Sequence, residues 1–122
     1  MMDGFIYVLC PYTHPNPRIR QWRVDTCAMY CAALRRTGAH PYAPIVECHP
    51  VEAFLPGDCG AVEHWAEYNY IMLRRSNEAR ILPLWGFNKS RGIAIEVARA
   101  QEHNILLTTD YDWEQTIGEA LS

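Results

Sequence analysis

The chain has no surplus of positive charge: 11 Lys and Arg stand against 14 Asp and Glu, for a net charge of -3 at pH 7. Binding along a nucleic-acid polymer needs a basic face, so that class of partner is not expected, although a local pocket for one nucleotide is. No apolar run approaches the roughly 20 residues that cross a bilayer, so no membrane partner is expected either. Met1-Met2-Asp3-Gly4 offers no basic segment ahead of an apolar one, unlike a secretory leader, and the expected location is cytoplasmic. No repeat, linker or low-complexity tract is present. The 122 residues therefore read as a single domain, 1–122, with one core.

Paired-cysteine spacing is also missing. Five cysteines, an odd count at irregular intervals, suggest free thiols in a cytosolic chain. Cys27 and Cys31, four apart on an expected helix, suit small apolar packing positions. Cys48, His49, Cys59 and His64 lack the C-x2-C or H-x3-H spacing of a closed zinc site, so no metal and no cofactor is expected.

What is present is an alternation of apolar runs and helical patterns. Phe5 to Cys10 reads as a buried parallel strand, ended by the proline-rich Pro11–Pro17. A helix is predicted from Pro17 or Arg18 to Thr37, closed by Gly38, with Val24, Cys27, Cys31 and Leu34 inward and Arg20 one turn ahead on the same line. A second strand is expected over His40–Val46, at an edge because of Pro41 and Pro44, then a long loop over Glu47–Ala61. A helix over about Val62–Arg75 should bury Trp65, Tyr68, Met72 and Leu73, with Asn69 on that stripe. A strand over about Ala79–Trp85, a helix to about His103, a strand over Ile105–Thr108 and a short helix over about Asp112–Leu121 complete the chain. This pattern implies an α/β, flavodoxin-like (Rossmann-like) parallel sheet of order 2-1-3-4 with helices on both faces. Ligands of such sheets bind beyond the carboxyl ends of the strands, where the order reverses.

The segment Ser90–Ala100 carries the sharpest chemical signal. Ser90 is a good N-cap, and Ile93, Val97 and Ala100 recur with helical spacing on one face. Glu96 falls on that same apolar face, where a carboxylate is costly unless paired, protonated or set at a cleft. The start of the helix is a natural anion site. A salt bridge to a neighbouring Arg is the plainer explanation of Glu96. Against it stands convergence at the switch point, where Tyr7 to Tyr12, Pro11 included, meet Arg20 and Ser90–Glu96.

Ile6-Tyr7-Val8-Leu9-Cys10-Pro11-Tyr12-Thr13, Tyr42-Ala43-Pro44-Ile45, His49-Pro50, Trp65, and Gly86-Phe87-Asn88-Lys89-Ser90-Arg91-Gly92 followed by Glu96 resemble, in order and spacing, the DUF1937 family. That family looks like a branch of the nucleoside 2-deoxyribosyltransferase-like superfamily. The resemblance covers about residues 5 to 110 and implies that Glu96 is a nucleophile, that Tyr7 supports it and that Ser90 meets a 5′-phosphate. Superfamily members usually carry an acid on the preceding helix and often another before the third strand. Here those positions hold Asn69 and Asn77. Asparagine hydrogen-bonds but does not shuttle a proton near pH 7.

The chemistry then expected is cleavage of an N-glycosidic bond, with a carboxylate beneath C1′ trapping the oxocarbenium-like centre. Arg20, with Arg23 as runner-up, would join Ser90 and the Arg91 and Gly92 N–H groups at a phosphate. Tyr12 is expected in the same substrate site, and the resemblance adds His49 over the base. Trp85, Phe87 and Trp65 are possible stacking partners, though aromatic residues in such runs usually fill the core. The expected partner is a small nucleoside or nucleotide, and the resemblance implies a homodimer or larger homo-oligomer. The alternative is a catalytically weakened nucleotide-binding module that keeps the phosphate cradle. A structural homo-oligomer with a vestigial pocket is a third reading.

Overall fold

Phe5 to Cys10 does enter a sheet, as its centre. The fold is seen in a computed structural model that describes residues 4–55 and 62–122, the first four of the second stretch as backbone only. Four strands, β1 (Ile6–Leu9), β2 (Pro41–Tyr42), β3 (Glu78–Ile81) and β4 (Leu106–Thr109), pair in parallel in the order β2-β1-β3-β4. This is the expected α/β arrangement. The helices are α1 (Pro17–Arg36), α2 (Pro44–Glu52), α3 (Val62–Arg75), α4 (Arg91–Glu102) and α5 (Trp113–Leu121), with a single 3-10 turn at Phe87–Lys89.

The two-residue period of β1 divides the core. Ile6, Val8 and Cys10 join Val24, Cys27, Tyr30 and Leu34 of α1, with Trp113 and Ile117 of α5 packed beside them. Tyr7 and Leu9 point the other way, to Leu73 of α3 and Ile93 and Ala100 of α4. A strand covered on both faces must be apolar throughout, and all four residues of β1 are buried. α1 begins where Asn16 Oδ1 accepts the Arg18 N–H at 2.9 Å and Pro17 takes the first turn. It is capped at Thr37 and followed by Gly38, whose φ of 93° suits glycine.

One polar layer lies beneath the β3–β4 side. Arg80 donates to both carboxylate oxygens of Glu78, at 2.7 and 3.1 Å, and Thr108 donates to Glu78 at 2.5 Å. Tyr30 donates to Asp110 at 2.6 Å. These partners satisfy one another, and the Arg80 guanidinium holds the Glu78 carboxyl below its ordinary range.

Several expected boundaries move. The second strand ends at Tyr42 because Pro44 opens α2; proline's missing N–H costs nothing at a first helical turn. α2 runs on past Pro50 to Glu52, so the expected long loop over Glu47–Ala61 is helical at its start. β3 stops at Ile81, although Leu82 and Leu84 stay buried, which is why the apolar run reads as a longer strand. β4 starts and ends one residue later than expected. Tyr68 is 48% exposed instead of buried. Trp65, Cys59 and His64 lie outside the described residues and side chains. Cys10, Cys27 and Cys31 are free thiols, but Cys48 is disulfide-bonded, which corrects the expectation there. Spacing along a chain does not reveal which sulfurs meet in space.

Candidate functional site

α4 starts as its sequence dictates. The Ser90 side chain accepts the Ile93 N–H at 3.2 Å, satisfying one orphan donor of the first turn. Ile93 and Ala100 are buried and Val97 is partly so, which turns Glu96 inward beside them. There the Tyr7 hydroxyl donates to Glu96 Oε2. Burial raises the Glu96 carboxyl from 4.5 to about 7, with the Tyr7 hydrogen bond and the Arg99 charge pulling it partly back. The same burial, with Glu96 beside it, pushes the Tyr7 phenol far above its ordinary range. Near neutral pH the carboxyl is therefore balanced between its two protonation states.

β2 brings a second phenol to this face. Tyr42 stands opposite Tyr7 in the β1–β2 register, and their ring centroids are 5.6 Å apart. The Tyr42 hydroxyl donates to Asn69 Oδ1 at 3.1 Å. Burial chiefly, then Tyr68 and the Glu47 charge, and last the Glu96 charge raise the Tyr42 phenol as well. The α3–α4 side of the sheet thus gathers Glu96, Tyr7, Tyr42 and Asn69 into one polar group. Tyr42 and Arg99 received no role from the sequence. Tyr42 belongs to one of the segments that carry the family resemblance and to the expected second strand, but neither indicates that it stands beside Tyr7.

The other candidates gather on the α1 side and over the strand ends. Arg23, only 5% exposed, donates to the Thr13 carbonyl at 3.0 Å and the Trp85 carbonyl at 3.1 Å. It ties the loop after β1 to the loop after β3, across the switch point. Arg20 donates to the His14 carbonyl, within the loop after β1. Pro11 is buried at the end of β1. The Tyr12 hydroxyl lies 2.9 Å from His49 Nδ1 and 3.2 Å from Glu52 Oε2, while His49 Nε2 lies 3.0 Å from Gln21 Oε1. His49 is thereby held between Tyr12 and α1, apart from the group around Glu96. Arg91 and Gly92 are exposed at the first turn of α4. A side chain on Gly92 would touch Ser90 Oγ at an ordinary 3.9 Å, so the fold itself does not require glycine there. Trp85 is 82% exposed, not core. Asn77 serves the opposite end of the sheet, where its Oδ1 accepts the Phe5 N–H at 3.0 Å and fills the space a side chain on Gly4 would need.

A family model described as "Domain of unknown function (DUF1937)" matches residues 4–108. The chain belongs to the DUF1937 family. The matched DUF1937 span contains Tyr7, Tyr42, Asn69, Ser90 and Glu96, and it ends within β4, so α5 lies beyond it. No functionally curated protein matches the chain. Among the described residues of this DUF1937 protein, no helix is long and apolar enough to cross a membrane.

Proposed function

We propose that this protein cleaves the N-glycosidic bond of a nucleoside or deoxynucleoside, or of its 5′-monophosphate, as an N-glycosidase or deoxyribosyltransferase. One observation carries the reading: an inward carboxyl on α4 whose Oε2 is held by a buried tyrosine hydroxyl. With Oε2 so held, Oε1 attacks C1′. The C1′–N bond breaks, and its electron pair leaves with the base, which takes its proton from solvent. Water or a second base then displaces Glu96 from C1′, giving hydrolysis or transfer. The resemblance to the nucleoside 2-deoxyribosyltransferase-like superfamily supports the same assignment.

The α4 start supplies the phosphate end, through Ser90 and the Arg91 and Gly92 N–H groups. Glycine at 92, which the packing does not demand, lets an anion come close to the backbone. Arg20 is the less committed candidate for an added cation, with one loop carbonyl as partner where Arg23 holds two. In this reading the protein works in the cytoplasm on a small molecule, as a homodimer or larger homo-oligomer.

A second reading rests on Asn69, which cannot pass a proton to the leaving base. In it the chain is a catalytically weakened module that binds a nucleotide and releases little base. Incubation with a panel of nucleosides and 5′-monophosphates, with free base followed by chromatography, decides between them. Base release that disappears in Glu96→Ala and Glu96→Gln supports the enzyme. Tight binding with no release supports the module. Unchanged turnover in a verified Glu96→Ala preparation refutes the mechanism.

A further inference from the structure

Tyr42 links two parts of the candidate site that no single element joins. It lies on β2, its ring packs on Tyr7, and its hydroxyl proton goes to Asn69 Oδ1 on α3. Tyr7 in turn donates to Glu96. Glu96 and Asn69, on separate helices, are therefore connected through two adjacent phenols that share one strand register.

An amide has two different ends: the oxygen accepts, and the nitrogen carries two donors. With Oδ1 occupied by the Tyr42 proton, Nδ2 is the end left to meet a bound molecule. We propose that Tyr42 is a positioning residue that fixes the Asn69 amide with Nδ2 toward substrate, so that position 69 recognises a hydrogen-bond acceptor on the leaving base or sugar. This rests on the glycosidic reading above and deepens it. An aspartate there would itself accept from Tyr42 and, when ionised, would present another acceptor. Asn69 with Tyr42 inverts that polarity and selects substrates with a ring nitrogen, carbonyl or sugar oxygen at this point.

The test uses Tyr42→Phe, which keeps the ring against Tyr7 and removes the hydroxyl, with its hydrogen bonds to Asn69 and Tyr68. The substrate is whichever common 2′-deoxynucleoside 5′-monophosphate the unaltered protein cleaves fastest. One net hydrogen bond biases two amide orientations about fivefold, so its loss takes the productive orientation from about five-sixths to about half, and KM should rise by nearly twofold while kcat is unchanged. On an Asn69→Ala background the same change should have no further effect, because the group being positioned is gone. The Asn69 side-chain amide signals in a 15N spectrum should also move in Tyr42→Phe without substrate present. A Tyr42→Phe effect that persists in full on Asn69→Ala, or amide signals that do not move, would overturn the proposal and leave the role of Glu96 standing. Wild-type turnover in Glu96→Gln would instead sink the glycosidic reading, and with it the substrate-facing role of Asn69, while the amide signals would still report whether Tyr42 orients it.

Discussion

Tyr7 in the first strand and Glu96 in the fourth long helix, 89 positions apart, meet hydroxyl to carboxylate on one side of the sheet. The folded chain holds the Glu96 proton more tightly than the unfolded chain does, with the carboxyl moved from 4.5 to about 7. Stability from this group is therefore intact below pH 4.5. It declines as pH rises toward 7 and stays reduced above that. The loss is at most about 3 to 4 kcal/mol, since each pKa unit corresponds to about 1.4 kcal/mol. Glu96→Gln does not titrate, so its melting temperature relative to the unaltered protein should climb between pH 5 and pH 7.5 and then level off. Thermal melts at four pH values check this, and a difference that ignores pH would contradict it.

The nucleophile must be ionised to attack. Base release, measured as kcat/KM, should rise with pH through a midpoint near 7, the value burial gives Glu96. The Tyr7 hydrogen bond lowers that value, so Tyr7→Phe should move the midpoint upward, by about 0.5 to 1 unit. A downward shift would show that Tyr7 does not stabilise the anion.

Arg23 holds two loop carbonyls with one planar group. Lysine offers no such fork, so Arg23→Lys should cost about 1 to 3 kcal/mol in urea unfolding. Gly86 has a φ of 90°, and a side chain there would come within 3.1 Å of Arg23 Nη2. Gly86→Ala should thus cost about 1 to 2 kcal/mol through backbone strain. The two changes should be non-additive, because they disturb one contact. Strict additivity would separate the loops energetically.

Ser90 has two proposed duties that a pair of substitutions separates. Ser90→Ala removes the cap and should cost about 1 kcal/mol. Ser90→Asp keeps a capping oxygen, so stability should change by less than about 0.5 kcal/mol. It nevertheless places a negative charge where a phosphate would sit. Calorimetry should then find that Ser90→Asp has lost any preference for a 5′-monophosphate over its nucleoside. Retention of that preference would move the phosphate away from the start of α4.

The strand order was readable because each strand is a short apolar run and each helix carries a distinct periodicity. Ser90 and Glu96 were readable because a cap and an inward acid share one helix. Tyr42 was not, since Pro44 looks like an interruption of a strand when it is the first turn of α2. Nor was the commitment of Arg23: a guanidinium near a helix start gives no hint that its partners are carbonyls of two distant loops. His49 illustrates the same limit, because its hydrogen bonds to Tyr12 and Gln21 depend on how α2 leans on α1.

β1 precedes the other described strands in the chain, yet it is paired on one side with Pro41–Tyr42 and on the other with Glu78–Ile81. A nascent chain can shield Ile6 and Val8 as soon as α1 has emerged, since Val24, Cys27 and Tyr30 cover that face. Tyr7 and Leu9 meet Leu73 of α3 first, and that face is closed only when residues beyond 90 supply Ile93 and Ala100 of α4. The two faces of one strand are thus closed at different stages of synthesis, and the side holding Glu96 closes second. Such distant pairings slow folding and leave apolar surface open meanwhile. Truncation before α4 should therefore leave Tyr7–Leu9 incompletely covered, and an ordered Tyr7–Glu96 contact would report that α4 has been made and docked.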